Sequence, residues 1–488
     1  MALPSNKTKI VCTIGPASES TEIIEQMIHA GMNIARLNFS HGDFSGHEQV
    51  IANVRSAAQA TGRRVAIMAD LPGPKMRIGQ LAEEPVDLKP GDPFSLTTDD
   101  IVGDASRVSV SFPRLPEAVK AGDRLFLNDG VIELRVEKVE GRDVHCEVRV
   151  GGVLRSRKGL NLPGIDLGIS AFTDRDHECL KYAVEQGVDA VSQSFVETAS
   201  DIHAVRDAAA ALGHSPFIIA KIERAGALDH IEAILEAADG IMIARGDLGV
   251  EIPIQEIAVV QKRLMQQAVT LGKPIITATQ MLESMINNRR PTRAESTDVA
   301  NAILDGTDCV MLSGESAMGR YPVESVYMLA QIASAIEPHR PGYRLQEALK
   351  TYGRDGNVGL TDLITLSVQN TLERVSPAAV IAPTHSGYTA RMIARFRLPV
   401  WITAVSPEET TCQGLQFSYG VFPVHEPEHP DDWKPFARKW LESQGIKGHL
   451  VVLTEGPSPA NPEANNRMEL INLRGSLKGE EDGPLRFA

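Results

Sequence analysis

Three charged residues are the first candidates for chemistry in this sequence. Lys221 and Glu223 stand two residues apart at the end of the apolar run 217–223, and Asp247 follows the next predicted strand. A charge inside an apolar run is costly unless it is neutralised, so Lys221 is interpreted as a functional group. Two carboxylates at neighbouring strand ends suit Mg²⁺ or Mn²⁺, which prefer hard oxygen ligands. The alternative is that these carboxylates only form ion pairs with Lys221 or Arg245.

Polar residues also mark the ends of most other predicted strands, usually at a spacing of two. That spacing places both members of a pair on one side of a strand. A lone serine or threonine at a strand end is more often a turn or cap residue, and a lone arginine more often a surface ion pair. The joint pattern is therefore what predicts one common site. Its other members are Arg36, Asn38, Ser40, His41, Asp70, Gln193, Ser194, Arg245, Thr277, Thr279, Gln280, Ser313 and Glu315.

The elements that carry these residues alternate between short apolar runs and segments of helical periodicity. Eight parallel strand–helix units close a barrel, and catalytic groups in such barrels lie at the C-terminal strand ends. The predicted fold class is α/β, with a (β/α)8 TIM barrel built from residues 1–71 and 170–341. Its predicted strands are 9–13, 33–40, 65–71, 190–196, 217–223, 240–245, 274–279 and 309–313.

The strand–helix rhythm is interrupted once and then continues in a third region. Residues 72–169 are rich in Gly, Pro and charge, and strands at 124–127 and 131–136 flank an Asn-Asp-Gly turn at 128–130. This pattern predicts a small inserted β-barrel lid domain. Residues 342–488 are predicted to form a C-terminal open α/β domain, with strands at 378–383, 401–405, 421–424 and 449–454.

Composition narrows the class of protein. The chain has 488 residues and a net charge of -14, which argues against nucleic-acid or acidic-membrane binding but leaves room for a local basic pocket. No apolar run approaches the roughly 20 residues of a membrane span, and the N-terminus lacks the apolar region of a signal peptide. The five cysteines are scattered and lack CxxC spacing. They indicate reduced thiols in a cytoplasmic protein.

Five longer motifs resemble those of the pyruvate kinase family. They are NIARLNFSHG at 33–42, IAKIE at 219–223, IARGDLGVEIP at 243–253, TATQMLESM at 277–285 and MLSGE at 311–315. They occur in the family's order, and the resemblance spans barrel, lid and C-terminal domain. It implies transfer of a phosphoryl group from phosphoenolpyruvate to ADP, which gives pyruvate and ATP. It also implies a homotetramer and a regulatory C-terminal domain.

The resemblance assigns roles by motif position. Glu223 and Asp247 would hold Mg²⁺ (or Mn²⁺), Lys221 would stabilise the transferring phosphoryl group and the enolate, and Arg36 would contact the phosphoryl group. The substrate carboxylate would be held by Ala244, Arg245, Gly246, Asp247 and Thr279, and Thr279 and Ser313 would serve the protonation of the enolate through water. The monovalent-cation environment would consist of Asn38, Ser40, Asp70 and Leu71. The nucleotide would be contacted by Asn38, His41, Arg77 and Lys158.

The entrance to the predicted lid departs from the family pattern. Members that require K⁺ usually carry Thr, Lys and Glu where this chain has Leu71, Pro72 and Lys75. K⁺ and an ammonium a few ångströms apart would repel each other by on the order of several kcal/mol. We therefore predict a K⁺-independent enzyme in which Lys75 supplies the missing charge; the alternative is a solvent-facing lysine. Gly226 is a second departure, because the family often has a polar or acidic residue there.

A loop in the C-terminal domain is the candidate effector site. Hydroxyls, a glycine and helix N-terminal amides can form an anion site, although simple helix capping is the alternative. Family members bind phosphorylated effectors at the matching loop, but His385 replaces their Lys or Glu, which puts fructose 1,6-bisphosphate in doubt. A sugar monophosphate and a nucleotide are equally compatible. The loop residues are Thr384, His385, Ser386, Gly387 and Thr389.

Two other functions stay open at this point. Another Mg²⁺-dependent barrel enzyme acting on pyruvate or its enolate would share Glu223 and Asp247, but it would need neither the lid nor His41 and Lys158. A non-catalytic metabolite-binding regulator on a decayed barrel is the second alternative. The intact set of Lys221 and the strand-end residues argues against it.

Overall fold

A computed structural model describes residues 3–165, 167–340, 359–457 and 463–474 of the chain. The predicted start of the C-terminal domain at residue 342 lies outside the described residues. The strands are β1 (Lys9–Thr13), β2 (Ile34–Asn38), β3 (Ala66–Leu71), β4 (Val86–Leu88), β5 (Pro93–Thr97), β6 (Arg107–Ser109), β7 (Arg124–Leu127), β8 (Ile132–Glu140), β9 (Asp143–Val150), β10 (Gly152–Leu154), β11 (Leu160–Asn161), β12 (Ala190–Gln193), β13 (Phe217–Ile222), β14 (Gly240–Ala244), β15 (Ile275–Ala278), β16 (Cys309–Leu312), β17 (Ala379–Pro383), β18 (Ile402–Ser406), β19 (Val421–His425), β20 (Leu450–Glu455) and β21 (Arg467–Asn472).

The helices surround the barrel and cover the C-terminal sheet. They are α1 (Thr21–Ala30), α2 (Phe44–Thr61), α3 (Leu115–Ala118), α4 (Asp174–Glu185), α5 (Ala199–Ala211), α6 (Ile231–Ala237), α7 (Arg245–Glu251), α8 (Ile257–Thr270), α9 (Arg293–Asp305), α10 (Gly314–Ala317), α11 (Pro322–Ile336), α12 (Leu360–Leu372), α13 (Tyr388–Ala394), α14 (Glu409–Gly414) and α15 (Trp433–Gln444). Short 3-10 turns lie at Ala225–Leu228, Ile254–Glu256, Glu283–Ile286, Glu337–His339 and Leu415–Phe417.

The predicted TIM barrel is confirmed. Eight parallel strands close in the order β1-β16-β15-β14-β13-β12-β3-β2. These strands are nearly continuous apolar runs because helices cover their outer side while side chains fill the interior. The predicted strands 190–196 and 217–223 end early in the structure, since their last polar residues have already left the sheet. Those residues form the rim where the candidate site lies.

Local capping explains where the barrel helices begin and end. The side chain of Ser20 accepts the Ile23 N–H at the start of α1, and Gly31 ends that helix at a φ of +129°. The helical pattern of residues 47–61 predicts a helix start at 47, but α2 begins three residues earlier, at Phe44. The reason is Asp43, whose carboxylate accepts the Gly46 N–H at 2.8 Å and starts the helix earlier.

The inserted segment is all-β and has its own core. Its strands form one sheet in the order β11-β7-β8-β9-β5-β6 and a two-stranded sheet of β10 and β4. Phe94, Leu125 and Leu134 are fully buried between them. The predicted hairpin of β7 and β8 is confirmed, and Asn128 and Asp129 both have a φ of +54° in its turn. Such angles suit the twist of a tight hairpin.

The C-terminal sheet has the order β19-β18-β17-β20-β21. The four predicted strands are present and parallel, whereas β21 was not predicted and pairs antiparallel with β20. Ile471 is the one buried residue of β21. This edge strand therefore lacks the alternating apolar pattern on which a prediction depends.

The C-terminal domain packs against the N-terminal end of the barrel, opposite the candidate site. Lys9 Nζ on β1 donates to the Val421 carbonyl at 2.7 Å, and Arg397 forms an ion pair with Asp308 at 2.7 Å. All five cysteines are buried and unpaired. Over the described ranges, no helix combines the length and hydropathy required to cross a bilayer.

Asp189 gives this domain interface a dependence on pH. Its carboxylate accepts the Ile67 N–H at 2.7 Å and Gln413 Nε2 at 3.3 Å, and burial raises its pKa to about 6. The folded protein therefore holds this proton more tightly than the unfolded chain. Stability accordingly falls as the pH rises between the ordinary pKa of 3.8 and about 6, and stays lower above that range.

We expect the substitution Asp189→Asn to remove this penalty. The gain in the free energy of unfolding should be about 1 kcal/mol larger at pH 7.5 than at pH 5, because the native carboxyl ionises in the folded state between these values. Denaturant unfolding of both proteins at the two pH values measures the difference. An equal effect at both would show that Asp189 does not titrate in this range.

Candidate active site

Lys221 lies at the C-terminal end of the barrel among three oxygen-bearing side chains. Its Nζ is 2.6 Å from Ser194 Oγ, 2.9 Å from Glu223 Oε1 and 3.2 Å from Asp70 Oδ1. Only 8% of the residue is exposed. Burial lowers its pKa, but the attraction of Asp70 and Glu223 outweighs that effect and the pKa is raised. Lys221 is therefore a buried, fully paired ammonium at neutral pH.

Arg36 reaches the same point from β2. Its Nε donates to Asp70 Oδ2 at 2.8 Å, its Nη2 forms a closer contact with the same oxygen, and its Nη1 donates to Thr13 Oγ1 at 2.8 Å. Ser192 Oγ donates to Asp70 Oδ1 at 2.8 Å. Burial acts to raise the pKa of Asp70, but Arg36 and Lys221 hold it below its ordinary value. Asp70 is thus an anion that orients both cations.

Glu223 and Asp247 form an interacting pair of carboxyl groups. Glu223 is 2% exposed, and its Oε2 accepts the Phe195 N–H at 2.7 Å. Burial raises the pKa of Glu223, Asp247 raises it further, and Lys221 opposes both. Asp247 lies in the first turn of α7, directly after β14. The pair therefore concentrates negative charge at the end of two neighbouring strands.

These two carboxylates fit a divalent metal that takes its other ligands from water and substrate. Mg²⁺ commonly uses only one or two protein carboxylates in phosphoryl-transfer sites. Within the described ranges, no cluster of three or more His, Cys, Asp or Glu side chains has the arrangement of a metal cage. These residues therefore do not form a site in which the protein supplies all the metal ligands. A metal at Glu223 and Asp247 would share its remaining ligands between water and substrate.

Thr279 is held in a strained backbone conformation beside the start of α7. Its φ is +71°, which is rare for a β-branched residue and is characteristic of functional sites. Its Oγ1 accepts the Gly246 N–H at 2.8 Å and donates to the Ala278 carbonyl at 2.7 Å. Arg245 pairs with Asp298 at 2.7 Å and donates to the Thr279 carbonyl at 2.8 Å. The Arg245 side chain thereby fixes this loop.

Glu315 positions Ser313 and was not recognised from the sequence in this role. It is fully buried, its Oε2 accepts the Ser313 N–H at 2.8 Å and its Oε1 accepts the Leu282 N–H at 3.0 Å. The loop after β15, which carries Thr279, is thus tied to the loop after β16. The signal for this role was a charged residue two positions after the predicted strand 309–313, but spacing along the chain does not indicate which groups it contacts.

Three residues assigned to the nucleotide side lie on the barrel rim and on the adjoining inserted segment. Burial lowers the pKa of His41, and the positive charges of Arg77, Lys75 and Arg36 lower it further. The Arg77 Nη1 donates to the Arg157 carbonyl at 3.1 Å. Lys158 lies on the adjoining lid segment, and its carbonyl accepts the Ile78 N–H at 2.9 Å.

The predicted monovalent-cation residues have other partners in this structure. Asn38 Oδ1 accepts the Ser40 N–H at 3.2 Å, and the buried Leu71 offers only its carbonyl, which accepts Ser194 Oγ at 2.7 Å. The Nζ of Lys75 lies 3.7 Å from Asp247 Oδ1. Lys75 therefore lies beside Asp247, one of the two candidate metal ligands.

Three polar strand-end residues do not join the site. Gln193 Nε2 donates to the Ala171 carbonyl at 2.7 Å, and Thr277 Oγ1 pairs with Thr307 Oγ1 at 2.9 Å. Gln280 is exposed at a φ of +54°. Gln193 and Thr277 therefore serve the barrel structure. A structural role was the alternative to a catalytic one for any single residue of the pattern.

Comparison with known proteins agrees with this geometry. Family models described as "Pyruvate kinase, barrel domain" and "Pyruvate kinase, alpha/beta domain" match residues 5–326 and 362–471. The chain belongs to the pyruvate kinase family. It is 49% identical to "Pyruvate kinase" of Thermococcus litoralis, over 97% of this chain and all of that protein. It is 42% identical to "Pyruvate kinase" of Geobacillus stearothermophilus, over 98% of this chain and 82% of that protein.

A third relative, "Pyruvate kinase" of Mycobacterium intracellulare, is 38% identical over 98% of this chain and all of that protein. Membership of this family makes the chain a phosphotransferase enzyme. The alternative of a non-catalytic regulator is thereby excluded.

The departure at Gly226 from the usual pyruvate kinase pattern has a local cause. A Cβ at this position would lie 2.4 Å from Glu197 Oε1. Glu197 pairs with Arg224 at 3.5 Å and occupies the space.

The predicted effector loop of the pyruvate kinase C-terminal domain is a closed turn. Thr384 Oγ1 accepts the Gly387 N–H at 2.9 Å, and Gly387 has a φ of +77° at the start of α13. His385 Nε2 lies 3.2 Å from Glu408 Oε1. Arg391 Nη2 donates to the Ser386 carbonyl at 3.1 Å, which brings one cation to the loop. Thr389 follows in the first turn of the helix.

Proposed function

We propose that the protein transfers the phosphoryl group of phosphoenolpyruvate to ADP, giving pyruvate and ATP as the last step of glycolysis. The observation that supports this most directly is the Lys221 ammonium, which Asp70, Glu223 and Ser194 hold at the mouth of the barrel beside Arg36. A loose phosphoryl-transfer transition state is stabilised by fixed cations rather than by covalent chemistry. Lys221 and Arg36 would contact the moving group from two strands.

Glu223 and Asp247 would hold Mg²⁺ or Mn²⁺. When bound, the metal supplies positive charge for the phosphoryl and enolate oxygens. The support from this chain is that burial raises the pKa of Glu223 and the charge of Asp247 raises it further, so the two carboxyl groups interact. Lys221 beside them would then stabilise the enolate that remains after transfer.

The substrate carboxylate would lie at the start of α7, against the backbone of Ala244, Arg245, Gly246 and Asp247 and the Thr279 hydroxyl. The contact of the Gly246 N–H with Thr279 Oγ1 keeps these groups together. Thr279 and Ser313 would serve the protonation of the enolate through water. Glu315 supports this assignment because it links their two loops.

The nucleotide would bind between lid and barrel, near Asn38, His41, Arg77 and Lys158. A lid that covers this position excludes water, which would otherwise compete with ADP for the phosphoryl group. Gly73 lies at the lid entrance, and a Cβ on it would lie 2.9 Å from Phe195 Cδ2. This close packing is consistent with a hinge whose position on the barrel is fixed.

Independence of K⁺ is part of the proposal. In relatives that require K⁺, the positions of Asn38, Ser40, Asp70 and Leu71 would form the monovalent-cation environment. In this chain, Lys75 would provide the positive charge that K⁺ brings there. The support for this is the position of its ammonium, 3.7 Å from Asp247 Oδ1.

Regulation and assembly complete the proposal. A phosphorylated effector would bind the loop of Thr384, His385, Ser386, Gly387 and Thr389, where Arg391 adds a cation.

A homotetramer in the cytoplasm is proposed from the family resemblance. Large apolar side chains on the barrel surface support burial between subunits, notably Ile254 and Val259, which are 68% and 69% exposed. Light scattering after size exclusion tests this assembly.

A coupled assay of pyruvate formation tests the reaction itself. Pyruvate should appear from phosphoenolpyruvate only when ADP and a divalent metal are both present, with ATP in equal amounts. Release of pyruvate without ADP would favour the other barrel chemistry on enolates. Addition of sugar phosphates and AMP to the same assay tests the effector loop.

Metal binding by Glu223 can be measured without turnover. We expect Glu223→Gln to weaken Mn²⁺ binding by roughly 10-fold or more, since it removes one of two anionic ligands. Paramagnetic resonance of free Mn²⁺ gives the affinity. The control is Glu251→Gln at the far end of α7, where the native carboxylate accepts the Ala225 N–H at 3.5 Å. An equal loss in both variants would argue against Glu223 as a ligand.

A further inference from the structure

Among the described residues, the only ion-pair partner of Asp247 comes from the lid. The Nζ of Lys75 lies 3.7 Å from its Oδ1. The other two acids of the site have partners within the barrel: Glu223 pairs with Lys221, and Asp70 pairs with Lys221 and Arg36. Three acids thus face three cations, and Lys75 is the member that makes this set neutral.

The Lys75–Asp247 pair is also the pair that can break most easily. Its side chains are 31% and 24% exposed, whereas those of Lys221 and Glu223 are 10% and 2% exposed. Water can therefore replace the lost contact for Lys75 and Asp247, and the free-energy cost of separating them is small. Removing a partner from the buried pairs would instead leave a charge without solvent.

The backbone holds Lys75 at the junction of two domains. Gly73 lies against Ser194 and Phe195 with no room for a side chain, and its N–H donates to Asp176 Oδ1 at 2.8 Å. Two residues later, the Lys75 side chain runs alongside Gly159 of the lid before it reaches Asp247. One lysine therefore contacts the lid and the helix that carries the proposed metal ligand.

We infer that Lys75 is the counter-ion of Asp247 in the metal-free enzyme, and that a divalent cation must displace it to bind. This inference rests on the proposed metal site at Glu223 and Asp247. The two cations compete for one carboxylate, so metal loading releases the lysine and removes an ion pair between lid and barrel. The released ammonium is then free to provide the charge ascribed to it in the absence of K⁺.

The test is Mn²⁺ binding to the full-length protein without substrates, followed by paramagnetic resonance. We expect Lys75→Met to bind Mn²⁺ roughly threefold to tenfold more tightly than the native protein, because the competing charge is gone. Lys75→Arg should keep the native affinity. The matched control is Lys158→Met, which removes one charge from the lid but no ion pair to Asp247, and should change the affinity less than about twofold.

Hydrogen exchange at residues 72–78 provides a second measurement. Saturating Mn²⁺ should speed exchange there in the native protein, whereas in Lys75→Met exchange should already be fast and insensitive to the metal. Equal Mn²⁺ affinity of native protein and Lys75→Met would overturn the inference while leaving the metal site intact. If the native protein fails to bind Mn²⁺, or if Glu223→Gln binds it normally, the proposed metal site itself is wrong.

Discussion

Substitution of Lys221 by methionine is expected to lower kcat for pyruvate formation by about 10³-fold or more. Methionine keeps a flexible apolar stem but removes the ammonium that Asp70, Glu223 and Ser194 hold in place. Loss of one preorganised electrostatic contact alone costs about 10² to 10³ in rate. Lys221 is proposed to act on both the phosphoryl group and the enolate, so its loss should lie at or beyond the upper end of this range.

Stability must be measured beside activity, because the variant leaves Asp70 and Glu223 without their shared partner. A loss of about 3 kcal/mol is expected from breaking a buried pair. Lys9→Met is the matched control, since Lys9 is also a buried strand lysine, with Nζ 2.7 Å from the Val421 carbonyl at the opposite end of the barrel. It should lose stability but keep kcat within about twofold. Turnover within tenfold of native in folded Lys221→Met would remove Lys221 from the chemistry.

The second large effect is expected at Lys75. The native enzyme should turn over equally fast with and without K⁺ and Na⁺. In Lys75→Glu, turnover without monovalent cations should fall by about 100-fold, because the substitution places a negative charge where the transferring group needs a positive one. Saturating K⁺ should restore most of the lost activity. The coupled assay, repeated across a K⁺ titration, measures both the loss of turnover and its recovery.

A charge reversal elsewhere in the lid separates this effect from general electrostatics. Lys158→Glu is expected to weaken nucleotide binding, and its activity should not gain a response to K⁺. Lys75→Gln should show an intermediate K⁺ response. Near-complete loss of native turnover in buffer free of K⁺ and Na⁺ would contradict the assigned role of Lys75, whatever the variants do.

The barrel and the position of its site could be predicted from sequence because both depend on local signals. Eight apolar runs separated by helical segments specify eight strands, and closure places their C-terminal ends around one point. Many of the polar residues that follow those runs lie there, whereas Gln193 and Thr277 contact structural partners in the barrel instead. Lys221, Glu223 and Asp247 were therefore predictable as neighbours before any distance was known.

The pairing of charges could not be predicted, because it depends on contacts between distant parts of the chain. Asp70 was expected near a monovalent cation, yet its oxygens contact Arg36, Ser192 and Lys221. Lys75 was expected to provide charge, but no sequence signal indicated Asp247 as its partner. Spacing along a strand determines which side a residue faces, and it leaves open which of several opposite charges lies closest.

Glu315 reduces the conformational freedom of the loops that carry Thr279 and Ser313. Its two oxygens each accept one backbone N–H, from Leu282 and Ser313, on the loops that follow β15 and β16. Thr279 and Ser313 therefore lose their independent freedom when the chain folds, long before a substrate arrives. Binding then needs to immobilise one rigid unit, and less of the interaction energy with the substrate is consumed by ordering the enzyme.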